Sequence, residues 1–325
     1  MSFPPSHSFG ATDPPSQSFG ATSPHSHSFG ATSPHSQSLS ATPPASQSSG
    51  VIKVPEEPIL ILSDLHMGHR ASRIRDPEQL APLLSGIRSV VLNGDTAEMR
   101  HEEDRPIGRK LAADLAKMCH HLGTKPFFIN GNHDPTISHI NHFDLASDTI
   151  LVTHGDVLFF GVTPWSRDAA HYRRKHQEIL DGLDRENLSD FEGRLRATKQ
   201  TALELQMVEL PLTKSRIPGL RLALRQLWPP LRPFKILKAW QETPKRAVEL
   251  ANIFRPKARF VIIGHTHFPG AWKKSGRVVI NTGSFIPYFP AHGAIINRDR
   301  IEVRQIDLQQ GKFCFGKEIG SFALR

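Results

Sequence analysis

Five short apolar runs, each ending on a polar cluster, constrain this chain more than any other feature. ILILS (59–63) runs into Asp64-Leu65-His66, and SVVLN (89–93) into Gly94-Asp95. PFFIN (126–130) runs into Gly131-Asn132-His133-Asp134, TILVT (149–153) into His154-Gly155-Asp156, and RFVII (259–263) into Gly264-His265-Thr266-His267. Runs this short, with turn residues at their ends, read as buried strands. EQLAPLLSGI (78–87) and PIGRKLAADLAKMCHHLG (106–123) read as helices between them, the second closing on histidines and a glycine as helix ends do. Strand and helix in alternation predict an α/β fold with a largely parallel sheet. Ligands of open α/β sheets sit at the carboxyl ends of the strands, so the five clusters are expected to meet in one place.

Their chemistry agrees. Asp, His and Asn offer oxygen and nitrogen to a divalent metal of intermediate softness: manganese first, or iron, zinc or cobalt. The clusters contain no cysteine, which argues against a closed structural zinc site. Seven residues are candidate ligands: Asp64, His66, Asp95, Asn132, His154, His265 and His267. That is too many for one ion and suits two ions about 3.5–4 Å apart, the arrangement that hydrolyses phosphate esters. Glycine precedes Asp95, Asn132 and His265, where the backbone is expected to turn sharply beside the site. Singly each cluster is weak. An Asp-x-His pair at a strand end is more often a cap or a surface pair, and Gly-Asp is a common turn. All five in this order, each after its own strand, are hard to obtain by chance.

The rest of the chain bounds the reading. Residues 166 to about 256 break the rhythm and read as an inserted helical cap. Within it, 214–238 carries seven Lys or Arg and no acid, interleaved with leucines, Trp228 and Phe234. Such a composition suits contact with a membrane surface, although Pro229, Pro230 and Pro233 rule out one long amphipathic helix. RVVIN, HGAIIN and RIEVRQI (277–306) read as strands split by short turns, a β-rich finish in a second packed sheet. The first 50 residues repeat a decapeptide (SFGATDPPSQ, SFGATSPHSH, SFGATSPHSQ, then SLSATPPASQ) and offer no apolar face, so disorder is expected. Residues 51–325 are expected to hold the folded domain. They carry the positive charge, since the chain is +9 overall and its first 50 residues hold one acid and no base. A basic surface favours anionic partners without choosing among phosphoesters, nucleic acid and acidic lipid. No protein partner is evident. Two distant cysteines, Cys119 and Cys314, fit free thiols and a cytoplasmic location. No 18-residue apolar run and no secretory-type leader is visible, so neither a membrane-spanning helix nor export is expected.

The ordered set DxH, GD, GNHD, H-G and GHxH resembles the calcineurin-like metallophosphoesterases over residues 59 to about 306. VVINTGSF (278–285) is similar to the strand and turn that follow GHxH there. The resemblance implies a four-layer α-β-β-α sandwich with an inserted helical cap. It implies one ion on Asp64, His66 and His267, a second on Asn132, His154 and His265, and Asp95 between them. A hydroxide shared by the ions would be the nucleophile. His133 would protonate the leaving oxygen or hold the phosphoryl group, with Asp134 orienting its ring. The implied activity is hydrolysis of a phosphodiester or pyrophosphate. In layout the chain looks most like UDP-2,3-diacylglucosamine diphosphatases of lipid A synthesis, which would place it peripherally on the inner membrane surface. It departs from them in having histidine at 133, where arginine is common. The alternative is a nucleotide or nucleic acid phosphodiesterase that grips its substrate through the basic cap.

Overall fold

The computed structural model describes residues 54–184, 189–205 and 231–324. The decapeptide repeat and residues 214–230 of the basic stretch lie outside the described residues. All five apolar runs form strands: β1 (Ile59–Leu62), β2 (Ser89–Asn93), β3 (Lys125–Ile129), β5 (Ile150–Thr153) and β6 (Phe260–Ile263). The further strands are β4 (His142–Leu145), β7 (Gly270–Lys274), β8 (Arg277–Asn281), β9 (Ala291–Asn297), β10 (Arg300–Gln309) and β11 (Lys312–Ala323).

The strands divide between two sheets, ordered β11-β10-β9-β1-β2-β3 and β4-β5-β6-β8-β7. β1, β2 and β3 run parallel, as do β5, β6 and β8, while the remaining pairings are antiparallel. The five polar clusters therefore come from two parallel triplets in separate sheets, three from the first and two from the second.

Alternation along the strands explains the layers. Ile59 and Ile61 of β1, Val91 of β2 and Ile129 of β3 pack against Ile150 and Val152 of β5 and Ile262 of β6, filling the space between the sheets. The alternate residues Leu60, Leu62, Val90 and Leu92 face outward under Leu80, Leu83, Leu115 and Met118. Each such side chain, withdrawn fully from water, contributes about 1.5–3 kcal/mol. The outward face of the second sheet, Leu151, Val261, Ile263 and Val279, is covered by Phe191, Leu195, Ala247 and Val248. The result is the α-β-β-α sandwich that the resemblance implied, with two mixed sheets in place of one largely parallel sheet.

Leu115 and Met118 belong to α1 (Arg105–His121), near its expected bounds. Leu80 and Leu83 belong to a 3-10 helix, Pro77–Leu84, where an ordinary helix was expected. Pro82 inside that segment has no N–H to donate, which denies it a regular i to i−4 ladder. The inserted region contains α2 (Ala169–Asp181), α3 (Phe191–Leu205) and α4 (Arg232–Phe254). The second half of α4 supplies the fourth layer itself, so part of the insert is core. Its first half exposes Phe234 and Leu237. No described helix is long and apolar enough to cross a membrane. Cys119 is buried, Cys314 half-buried, and both are free.

Candidate metal centre

Backbone geometry marks the site before any side chain does. Asp64, His66, Asp95, His265 and His267 all adopt left-handed φ, between 48° and 65°. For residues other than glycine this conformation costs about 1–2 kcal/mol each. Five of the seven candidate ligands thus hold strain that the sandwich offsets, as functional sites commonly do. Two of the preceding glycines serve close approach rather than a turn. A Cβ at Gly131 would collide with the Asp95 carboxylate, and one at Gly264 with the Asp64 carboxylate.

The loops are tied together at their bases. Asp64 N–H donates to Gly94 O (3.1 Å), His66 N–H to Asp95 O (2.8 Å) and Gly264 N–H to His154 O (2.8 Å). His265 N–H donates to Asp64 Oδ2 at 2.9 Å, which joins a β6 loop to a β1 loop across the two sheets. Asn281, at the end of β8, donates to Gly264 O (2.8 Å) and Thr266 Oγ1 (2.9 Å) and so holds the His265–His267 turn from behind.

All seven candidate ligands come together. Three groups of side chains have donor atoms mutually within 4.8 Å: Asp64 with His66 and His267; His66 with Asp95 and His133; and Asp95 with His154 and His265. In the first group His66 Nε2 and His267 Nε2 face each other at 3.1 Å, and His267 Nε2 lies 3.2 Å from Asp64 Oδ1. In the last, His154 Nε2 lies 3.4 Å from Asp95 Oδ2 and 3.2 Å from Asn132 Oδ1. Bonds of about 2.0–2.2 Å to a common ion place neighbouring ligand atoms about 3.0–3.4 Å apart, so these spacings fit shared ions.

Two imidazoles have their tautomers set by backbone carbonyls. His154 Nδ1 donates to Asn93 O at 3.0 Å, which leaves Nε2 for the centre. His265 Nε2 donates to Val162 O at 3.0 Å, which leaves Nδ1. Such partners orient a metal-binding histidine and raise its basicity. Val162 is itself left-handed (φ 62°), an outlier for a β-branched residue, and sits in the loop leading into α2. By contrast His66 Nδ1 is buried without a partner.

Electrostatics also call for cations here. Burial pushes His154 down, but the neighbouring Asp95 and Asp64 carboxylates outweigh it and lift the ring to about 10. Asp95 is held well below the usual carboxylate range: burial opposes this, and His154 and His133 overcome it. The buried carboxylates demand positive charge, which divalent ions would satisfy.

Asp95 faces both groups: its Oδ1 accepts from the His133 N–H at 2.8 Å, and its Oδ2 lies 3.8 Å from His66 Nε2 and 3.4 Å from His154 Nε2. One detail differs from expectation. Asp134 was expected to orient the His133 ring. Its carboxylate accepts from the backbone N–H groups of Asp95 (2.9 Å), Thr96 (2.6 Å), Ala97 (3.2 Å) and Gly131 (2.9 Å), fixing the Asp95 loop. The ring partner is Glu98, whose Oε2 lies 2.9 Å from His133 Nδ1. Glu98 is held well below its usual range, since His133 and Arg100 outweigh its burial. The signal was present in the sequence as a carboxylate three residues after Asp95.

Asp156, the last residue of the fourth cluster, turns away from the ligands. It accepts from Lys199 Nζ of α3 at 2.6 Å in a pair that is almost wholly buried, with side chains 0% and 6% exposed.

No protein-family profile and no curated protein matches this sequence. Solved structures similar to it include vacuolar protein sorting 29 of Cryptosporidium parvum, at 14% identity over 82% of this chain and 97% of that chain, TM-score 0.35. Yfce, a phosphoesterase from E. coli, is 15% identical over 82% of this chain and 99% of that chain, TM-score 0.36. Vps29 of Entamoeba histolytica complexed with zinc is 14% identical over 82% and 99%, TM-score 0.35. At such identities and scores these likenesses say nothing of what this chain does. The fold and the site stand on their own geometry.

Proposed function

We propose that this protein is a dinuclear metal-dependent hydrolase of phosphodiester or pyrophosphate bonds. The observation that carries the reading is the run of donor groups joined through His66 and Asp95, built on left-handed backbone at the ends of two parallel strand triplets. Asp64, His66 and His267 would hold one divalent ion, manganese first. Asn132, His154 and His265 would hold the other, and Asp95 would serve both. When bound, such ions supply Lewis acidity and make water nucleophilic near neutral pH.

The chain's own residues would do the rest. His133 presents Nε2 toward the centre, 3.8 Å from Asp95 Oδ2, while Glu98 holds Nδ1. Burial and Arg100 push this ring down, and Glu98 and Asp95 push it up further, so the net shift is upward. A histidine held in that way is suited to give a proton to a leaving oxygen.

One observation favours a substrate with an apolar portion. A groove of about 360 Å³ is lined by Leu237, Trp240, Phe268, Trp272, Lys273 and Lys274. Phe268 follows His267 directly, and Trp240 Nε1 donates to Thr266 O at 2.9 Å, so the groove adjoins the centre. Apolar walls with two lysines suit an anionic amphiphile of the UDP-diacylglucosamine type better than a nucleic acid. They would also suit contact of the protein with a membrane surface.

The test is hydrolysis of bis(p-nitrophenyl) phosphate by the full chain with manganese, against Asp95→Ala. Metal-dependent turnover absent from the variant supports the reading, and no turnover with any divalent metal overturns it. UMP release from UDP-2,3-diacylglucosamine would support the amphiphile. Cleavage of DNA or RNA, weakening steeply with salt, would support the nucleic acid alternative instead.

A further inference from the structure

His69 lies outside the seven candidate ligands, yet its environment is that of a donor set beside the centre. It ends the tight turn after β1: its N–H donates to His66 O at 3.0 Å, and its carbonyl accepts from Ser72 N–H at 3.0 Å. Its Nδ1 accepts the Ala71 N–H at 3.1 Å. A nitrogen that accepts a hydrogen bond carries no proton, so the ring is neutral and its hydrogen is on Nε2. Among the described residues nothing accepts from Nε2–H, and that atom is not among the buried polar atoms left without a partner.

The position is specific. The ring lies 6.2 Å from that of His66, which in turn lies 4.6 Å from that of His133. Glu98, His133, Arg100 and Arg70 are the charged groups that act on it. His69 and His133 are therefore both neighbours of His66 on the side of the centre where Glu98 holds His133. A neutral, tautomer-locked N–H beside a cluster built for cations has one obvious ligand class, an anionic oxygen.

We propose that His69 is a substrate-contacting residue whose Nε2–H donates to a phosphoryl oxygen of the bound ester. The inference rests on the phosphoester reading of the centre. The role is uniform binding rather than chemistry, because the locked ring neither takes up nor gives away a proton. A hydrogen bond to an anionic oxygen is charge-assisted, and its loss should weaken binding by roughly tenfold or more.

The test titrates inorganic phosphate into the manganese-loaded full chain by calorimetry, beside steady-state kinetics on bis(p-nitrophenyl) phosphate. His69→Ala should weaken phosphate and raise KM by about tenfold, with kcat, the pH profile and manganese content unchanged. His69→Gln, which keeps an N–H donor, should regain part of the loss. Unchanged phosphate affinity in His69→Ala overturns the proposal. So does a lower kcat with a shifted pH profile, which would make His69 a proton donor, or loss of an ion, which would make it a ligand. A wild-type chain that binds metal and phosphate but hydrolyses nothing defeats the phosphoester reading alone, and the phosphate titration still decides His69.

Discussion

The two halves of the candidate metal centre are built differently. Around His154 and His265 every ligand is buried, and each imidazole is pinned through its other nitrogen by a backbone carbonyl, Asn93 O or Val162 O. Around His66 and His267 the site is looser: the His267 side chain is 33% exposed, and His66 Nδ1 has no partner. The inner half is preorganised at the cost of a strained Val162, and the outer half faces the solvent from which a substrate would come. On the proposed reading the cluster would be two sites of unequal rigidity that share the Asp95 carboxylate. The inner would keep its ion and the outer would exchange it.

The largest effect should erase the distinction. Asp95→Ala removes the carboxylate common to both halves. Its activity should fall to the metal-only background, and elemental analysis should find less than one ion per chain. His133→Ala should follow, lowering kcat by about 10²–10³-fold with metal content intact, as loss of a general acid does. Glu98→Gln should cost about tenfold, because it acts only by holding the His133 ring. If Asp134→Asn impaired kcat without lowering stability, the assignment of Asp134 to the backbone of the Asp95 loop would be wrong.

The inner half should also depend on the insert. Lys199→Met strands the buried Asp156 carboxylate and should destabilise the fold by about 3–5 kcal/mol in urea unfolding. Lys199→Met combined with Asp156→Asn should recover much of this. Burial raises the Asp156 pKa, but Lys199 and His154 lower it further, so the net shift is downward. A depressed carboxyl contributes stability that is present above its unfolded pKa, near 3.9, and lost as pH falls through the folded value. The wild type should therefore lose its advantage over the double variant in acid, below about pH 4, and keep it at neutral pH.

The smallest effect concerns His142, which is outside the three donor groups of the centre. It pairs with Asp144 at 3.1 Å and with Glu192 of α3 at 2.8 Å. Burial lowers this ring, but both carboxylates raise it further, to a net upward shift. Its contribution is full below the unfolded pKa of about 6.5 and fades as pH rises through the folded value. His142→Gln should cost about 1 kcal/mol at pH 6 and less at pH 9, with metal content unchanged at both.

Much of this centre was legible in the sequence because one physical rule placed it. Buried runs such as ILILS and RFVII declare themselves as strands, and their carboxyl ends carry the polar residues. What escaped depends on distance or on mixed patterns. HFDL of β4 and KFCFGKEIGSFA of β11 alternate too weakly to stand out, and Gly316 and Gly320 interrupt the latter. The Lys199–Asp156 pair joins residues 43 apart in the chain, and nothing local in either signals the other. Val162 escaped because a strained carbonyl leaves no mark on residue type. Asp134 was misjudged because the position next to His133 in sequence suggested contact with its ring, whereas the turn sends the carboxylate into four backbone N–H groups.

The most direct test counts manganese per chain, by elemental analysis during stepwise chelation, in the wild type, His267→Ala and His265→Ala. Unequal halves predict two ions in the wild type lost in two steps, the easily removed one missing in His267→Ala and the tightly held one missing in His265→Ala. A single ion in the wild type, or two lost together with both variants empty, would contradict a centre of two distinct halves.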